Sequence, residues 1–144
     1  MGQIKELNQA LANWNVLNTK LHHYHWFVKG THFFALHEKF EEIYTEGFNY
    51  VDEIAERILT IGGEPISSLK QYLETTTLEE AKGGESAEEM VAALSKDLEQ
   101  LKAEFEAGIE VAESNKDVPT SDMFIGMNAS IEKHNWMLKA YLSK

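Results

Sequence analysis

The chain of 144 residues contains no cysteine and only two prolines. The absence of cysteine excludes disulfides, thiolate zinc sites, iron–sulfur clusters and a cysteine nucleophile. Basic residues are also scarce, because 13 Lys and Arg face 24 Asp and Glu, for a net charge of −11. Such a charge repels phosphate backbones and anionic membranes and attracts cations, metal ions among them. The first residues lack the basic and apolar regions of a secretory signal, and no apolar run is long enough to span a membrane, so we expect a cytoplasmic protein.

Apolar residues recur at intervals of three and four along most of the chain, which predicts amphipathic helices. Four long helices are predicted, at about residues 4–28, 34–61, 90–109 and 124–141. Gly30, the Gly62-Gly63 pair and Pro119 interrupt the pattern, and Ser86-Ala87-Glu88-Glu89 forms a capping box. Between the second and third long helices, residues 67–74 predict a short extra helix that ends at three threonines. The sequence therefore predicts one all-α domain over 1–144, a four-helix bundle with a short helix in the crossover.

One face of the second helix combines imidazole and carboxylate groups. His37 and Glu41 are spaced i,i+4, and so are Asp52 and Glu56. At 100° per residue all four lie within an arc of about 100°. The two pairs are nevertheless about 22 Å apart along the helix axis at 1.5 Å per residue. A single copy of this helix is therefore not expected to bring both pairs to one ion.

A second copy of the helix solves this problem of distance. If two copies pack antiparallel about a two-fold axis near Gly47, His37 faces Glu56 and Glu41 faces Asp52. Each dimer then holds two equivalent composite sites. Gly47 is expected at the helix crossing, where the missing side chain would permit close approach of the two backbones.

The helical hairpin adds one more candidate ligand. With the turn centred near Thr31, His25 on the first helix lies as far from the turn as His37 does on the second. The predicted ligand set is then His25, His37 and Glu41 from one chain with Asp52 and Glu56 from the other. Two imidazoles and three carboxylates suit iron or manganese better than copper(I), and such a set has room for two ions.

Other readings of these residues stay open from the sequence. Taken alone, either the His37–Glu41 pair or the Asp52–Glu56 pair is typical of a solvated helix face. The chain could therefore instead be an acidic helical scaffold or a metal-buffering protein without redox turnover. His22, His23 and His32 have no such partners and are predicted to be surface or packing residues. His134 lies on the apolar face of the last helix, where a hydrogen-bonded core histidine is expected.

The motifs that carry these residues resemble those of the Dps family of miniferritins. They are His25-Trp26, His37-Glu38-Lys39-Phe40-Glu41, Asp52-Glu53-Ile54-Ala55-Glu56-Arg57 and Gly62-Gly63. The resemblance covers nearly the whole chain and includes the short crossover helix. The Glu-x-x-His motif of an intrachain ferritin centre is absent, which favours Dps over ferritin or bacterioferritin.

The resemblance implies a ferritin-like bundle that assembles into a hollow dodecamer. The expected activity is a ferroxidase that oxidises Fe(II), preferentially with hydrogen peroxide and alternatively with oxygen, and stores ferric mineral in protection against oxidative damage. The implied iron ligands are His25, His37, Glu41, Asp52 and Glu56, shared between two-fold-related subunits. Glu41 departs from the family, since many members have Asp there. Trp26 resembles the family's aromatic residue near the centre, a local electron source or radical sink.

Two further expectations concern iron entry and DNA. Glu113, Asp117 and Asp122 flank the start of the last helix, where family members line an acidic three-fold pore. Direct DNA binding is not expected, because Lys5 is the only cation near the start of the chain and the net charge is −11. Members that bind DNA directly commonly carry a tail rich in Lys and Arg.

Overall fold

The computed structural model describes residues 2–143, and all regular structure within them is helical. The helices are α1 (Gly2–Phe27), α2 (Phe33–Thr60), α3 (Leu69–Thr75), α4 (Ala87–Ser114) and α5 (Val118–Leu142). Helices α1 and α2 form one hairpin, α4 and α5 form a second, and the short α3 packs on α1. The predicted four-helix bundle with a short crossover helix is confirmed.

The helices begin and end where local chemistry favours it. Ser86 and Glu89 form the predicted capping box, each side chain bonding the other residue's backbone amide, and Ser68 caps α3 by accepting from the amide of Gln71. The α1–α2 turn contains Gly30 at φ +103°, a conformation that side chains disfavour. This turn fixes how α1 and α2 face each other.

The bundle core is continuous and mainly aliphatic and aromatic. Its largest fully buried side chains come from α1, α2, α4 and α5 and include Trp14, Tyr24, Phe40, Phe105 and Phe124. Each of the four long helices buries one stripe of apolar residues in this core. The opposite stripes of polar residues therefore remain outside, and they include the acid and imidazole face of α2.

Gly47 faces the interior of its own chain. A Cβ built there would lie 2.0 Å from Asn18 Oδ1 and 2.9 Å from Trp14 Cε3, both on α1. The expectation that Gly47 admits a second copy of α2 was wrong. The close approach that it permits is between α2 and α1, because it lies on the buried side of α2 and not on the side of the candidate ligands.

Beyond α3, side chains of α1 hold the irregular part of the crossover. Asn13 accepts from Thr76 Oγ1 at 2.6 Å and from the amide of Thr77 at 2.8 Å. The Lys20 ammonium donates to the carbonyl of Glu79 at 3.0 Å and lies 2.9 Å from Asp97 Oδ2. Two of these bonds satisfy backbone groups that lie outside the helices, the amide of Thr77 and the carbonyl of Glu79.

A polar cluster joins α2 to the start of α5. Asp117 caps α5 by accepting from the Thr120 amide at 3.2 Å, and it receives Arg57 Nη2 at 2.8 Å. Burial alone would raise the pKa of Asp117, but hydrogen bonds from Thr120 and Arg57 outweigh it and lower the pKa below its usual value. Because the folded pKa is the lower one, this group stabilises the fold above its unfolded pKa of about 3.9, and the contribution is lost as pH falls through the folded pKa.

Asp117→Asn is expected to lower the free energy of unfolding by about 1.5–3 kcal/mol at neutral pH. Asparagine retains an oxygen for the helix cap, so the substitution removes chiefly the charge that meets Arg57. Thermal unfolding of both proteins at pH 7 and pH 3 measures this effect. The difference between them shrinks at pH 3, and an equal difference at both pH values would contradict the assignment.

Candidate metal centre

His25 and His37 meet next to the turn that joins α1 and α2. Their rings stack with centroids 3.6 Å apart and planes inclined by 12°. His25 Nδ1 lies 2.6 Å from the carbonyl oxygen of His37, and His37 Nδ1 lies 2.7 Å from that of His25. Since a carbonyl oxygen only accepts hydrogen bonds, we assign the proton to Nδ1 in both rings. Each Nε2 is then left with a lone pair, the form in which histidine binds metals.

Glu41 lies beside His25 at the surface of the chain. Its Oε1 lies 3.6 Å from His25 Nε2, and its side chain is 58% exposed, whereas that of His25 is 8% exposed. The imidazole is thus fixed in place by its surroundings, while the carboxylate on the surface has room to move. The structure therefore places two of the predicted ligands, His37 and Glu41, next to His25.

Asp52 and Glu56 lie further along α2 with exposed side chains. Within residues 2–143 of one chain, no group of three or more His, Asp or Glu side chains is arranged to hold a metal ion. The helix is continuous from Phe33 to Thr60, so the distance along its axis keeps both acids away from the histidine pair.

Aromatic side chains surround the histidine pair. The edge of Tyr44 faces His25, with ring centroids 5.4 Å apart and planes at 87°, and His22 lies 4.1 Å from Tyr44 between centroids. Trp26 is 66% exposed and stacks on His22 at 5.1 Å. Burial, and then the nearby Glu41 carboxylate, raise the pKa of Tyr44, which keeps the phenol protonated.

Tyr44 and His22 were not predicted as neighbours of the site. Helical spacing carried the signal, since Tyr44 follows Glu41 by three residues and His22 precedes His25 by three. Burial, followed by the nearby His25, lowers the pKa of His22 and favours the neutral ring. The prediction that His22 is a surface or packing residue is confirmed by its aromatic contacts.

The remaining histidines lie away from the pair. His23 packs on Phe27, and His32 lies at the edge of Tyr141. His134 is buried with hydrogen-bond partners at both ring nitrogens, which confirms the prediction of a bonded core histidine.

The three predicted pore residues differ in their surroundings. Asp117 is engaged inside the chain by Arg57 and Thr120. Glu113 is exposed, with Oε1 3.3 Å from the hydroxyl of Ser121, and Asp122 is exposed on the first turns of α5. Of the three, Glu113 and Asp122 present carboxylates at the surface of the chain.

The sequence and the fold of this chain match those of known proteins. A family model described as "Ferritin-like domain" matches residues 4–144. "DNA protection during starvation protein 2" of Bacillus anthracis is 52% identical over 141 residues, which cover 98% of this chain and 97% of that protein. "General stress protein 20U" of Bacillus subtilis is 48% identical over 139 residues, covering 96% of each.

Solved structures agree with this result. The crystal structure of Dps from Staphylococcus aureus superposes with a TM-score of 0.98 at 53% identity, covering 99% of this chain and 95% of that one. Dps from Listeria innocua soaked with zinc gives a TM-score of 0.95 at 43% identity, covering 99% and 97%.

The match defines the chain as a helical bundle of the ferritin-like class. Within that class, the chain belongs to the Dps family. Membership supports an iron-related, protective role. None of the helices described in residues 2–143 is long and apolar enough to cross a membrane.

Proposed function

We propose that this protein is a ferroxidase that detoxifies and stores iron. It oxidises Fe(II), preferentially with hydrogen peroxide, at composite sites between two-fold-related subunits, and it holds the ferric product inside a dodecameric shell in the cytoplasm. The stacked His25–His37 pair with its two free Nε2 atoms carries this proposal.

The donor atoms fit iron. Each imidazole has its Nδ1 proton bonded to a carbonyl, which orients the ring and leaves Nε2 for the ion. Glu41 adds a carboxylate beside His25, and Asp52 and Glu56 of a second chain would add two more. A mixture of imidazole and carboxylate ligands, with open positions for an oxidant, is typical of iron sites.

The stacking supports two ions per site. The two ring planes are nearly parallel, with centroids 3.6 Å apart, so the two Nε2 atoms would be available to different ions. Two metal ions that share carboxylate ligands are a common arrangement in catalytic metal sites.

A second subunit supplies the remaining carboxylates in this proposal. Asp52 is about 22 Å from His37 along a straight α2, which is too far for both to touch one ion in a single chain. Antiparallel pairing of two α2 helices brings the partner's Asp52 near Glu41 and the partner's Glu56 near His37. Each pair of subunits then forms two equivalent sites.

Two Fe(II) ions together supply the two electrons that one hydrogen peroxide molecule accepts. The O–O bond breaks, two protons are taken up, and the products are two Fe(III) and two water molecules. If only one Fe(II) is bound, the second electron must come from elsewhere. Trp26 joins the histidine pair through His22 and Tyr44, and this series of ring contacts supports its proposed role as a local electron source or radical sink.

Surface charge supports the other parts of the proposal. Carboxylates of Glu113 and Asp122, more than the internally bonded Asp117, would attract Fe(II) to a pore near the start of α5. The net charge of −11 per chain argues against direct DNA binding, because the phosphate backbone is repelled.

Anaerobic titration with Fe(II), followed by addition of peroxide, tests the proposed activity. We expect saturable Fe(II) binding, oxidation much faster than in protein-free buffer, and a soluble ferric core. An acidic scaffold would give no saturable oxidation. A metal buffer without redox turnover would bind Fe(II) and oxidise it no faster than buffer does, and either result would overturn the proposal.

A further inference from the structure

A partly buried polar cluster joins the two helical hairpins. It consists of Lys39 and Glu46 on α2 with Ser130 and His134 on α5, and we call it the His134 cluster. Lys39 Nζ lies 2.9 Å from His134 Nδ1, and His134 Nε2 lies 2.7 Å from Glu46 Oε2. Glu46 also accepts from the hydroxyl of Ser130. Helix α2 packs mainly on α1, and α5 packs mainly on α4, so α2 and α5 have few contacts with each other. The His134 cluster is one of the main contacts between them.

The partners of His134 define its protonation state. The ammonium of Lys39 has only hydrogens to offer, so Nδ1 must present its lone pair. The carboxylate of Glu46 accepts, so Nε2 must carry the proton. His134 is therefore a neutral ring that connects a cation to an anion. Burial opposes the charge on Glu46, but hydrogen bonds from Ser130, His134 and Tyr50 lower the pKa of its carboxyl, which keeps the anion in place.

The cluster holds the part of α2 that carries the candidate ligands. Lys39 lies between His37 and Glu41 in the sequence, and its side chain is only 15% exposed. The N-terminus of α2 has no side-chain cap, since His32 at that position makes no capping hydrogen bond. The first turns of α2 therefore depend on tertiary contacts, of which the bond from Lys39 to His134 is one.

Protonation of His134 is incompatible with this arrangement. A proton on Nδ1 would put two hydrogen-bond donors, both positively charged, 2.9 Å apart in a buried site. From α2, the charged groups that face His134 are Lys39 and Glu46. From α4, the described ion pairs to α5 reach Glu132 and Lys139 and not His134. Lys39 has two other acceptors: Glu42 Oε2 on its own helix, 3.4 Å from the ammonium, and the weakly accepting Sδ of Met137 on α5, at 3.1 Å.

We propose that the hydrogen bond between Lys39 and His134, which we call the clamp, positions the ligand-bearing half of α2 against α5. We further propose that acid breaks this bond by protonating His134. When the ring is neutral, it accepts the Lys39 ammonium and holds the helix. When the ring is protonated, Lys39 turns outward to Glu42, and the first half of α2 loses its anchor. His134 is thus a positioning residue that makes no contact with the candidate ligands.

Hydrogen exchange of the metal-free protein, with chelator present, tests the clamp without reference to iron oxidation. Rates for residues 33–46 are measured by mass spectrometry at pH 7.5 and 5.5 and corrected for the intrinsic effect of pH. We expect protection of this segment in the unmodified protein to fall about tenfold at the lower pH, equivalent to about 1.4 kcal/mol.

Two variants separate the clamp from other effects of acid. Lys39→Met keeps a long apolar side chain without the charge, and His134→Asn keeps an acceptor near Nδ1 that does not titrate. In both, protection of residues 33–46 is expected to be equal at the two pH values. The matched control, Lys139→Met, removes the ion pair of Lys139 with Glu99 elsewhere on α5 and should retain the acid response.

Two outcomes would overturn the clamp. One is equal protection of residues 33–46 at both pH values in the unmodified protein. The other is an acid response that survives in Lys39→Met, since its cause would then be another group, such as His25 or His37. Loss of ferroxidase activity in any variant does not bear on this result, so the clamp and the proposed function fail independently.

Discussion

His25→Ala and Asp52→Ala are each expected to abolish the fast phase of Fe(II) oxidation while leaving helix content unchanged. His25 supplies a preorganised Nε2, and Asp52 supplies an exposed carboxylate that belongs to the partner's site in the proposed dimer. Loss of a residue that merely orients a metal ligand commonly costs 10–100-fold in affinity or activity, so loss of a ligand should cost roughly 100-fold or more. Stopped-flow oxidation and circular dichroism measure the two properties.

Mixing these two inactive variants is expected to restore activity. In a dimer of one His25→Ala chain and one Asp52→Ala chain, one composite site carries both substitutions and the other carries neither. Random assembly at equal amounts makes about half of all dimers mixed, so about one quarter of the sites are intact. Recovery of about a quarter of the fast-phase amplitude is therefore the expected result.

The matched control for mixing uses two substitutions in the same half of the site. His25→Ala mixed with His37→Ala leaves every composite site with one missing imidazole, because both histidines come from the same chain. No recovery is expected in this mixture. If subunit exchange is verified and the first mixture also stays inactive, the ligands are not shared between chains, even if each ligand is needed for activity.

The elements that the sequence predicted well depend on local patterns. The spacing of apolar residues and the capping box at Ser86 predicted the helices, because these signals are properties of neighbouring residues. The symmetry of a hairpin was enough to place His25 beside His37, since the turn at Gly30 fixes which residues face each other.

The contacts that the sequence did not predict join helices far apart along the chain. The bond from Lys39 to His134 depends on how two helix faces meet and on which rotamers reach across, and neither is encoded in the spacing of residues. The prediction for Gly47 was wrong for a different reason. Its size indicated a close approach, but it lies ten residues after His37, about 280° around the helix, and therefore outside the arc of the candidate ligands.

Gly47→Ala is consequently expected to destabilise the subunit itself. The new Cβ would lie 2.0 Å from Asn18 Oδ1 and 2.9 Å from Trp14 Cε3, so α1 and α2 must move apart or their side chains must leave their rotamers. Overpacking of this kind costs about 1–3 kcal/mol, and the contact with the Trp14 ring, which has less freedom to move than the Asn18 amide, gives the main part of the cost. For a domain of this size, 1–3 kcal/mol lowers Tm by roughly 2–12 °C.

Gly126→Ala is the matched control for this loss of stability. Gly126 also lies within a helix, but a Cβ there would meet nothing within 4 Å. Alanine in place of an exposed helical glycine is expected to raise stability by roughly 0.5–1 kcal/mol, because the unfolded chain loses conformational freedom. Thermal unfolding at equal protein concentration should therefore move in opposite directions for the two variants.

A second substitution separates steric conflict from any general intolerance of change at Gly47. Both polar atoms of the Asn18 side chain are buried without a hydrogen-bond partner among residues 2–143, so Asn18→Ala breaks no described bond. It also vacates the space that the new Cβ needs. Asn18→Ala combined with Gly47→Ala is therefore expected to recover part of the lost Tm, with the contact to Trp14 limiting the gain. A strictly additive double variant would show that the close approach of α1 to α2 is not what Gly47 provides.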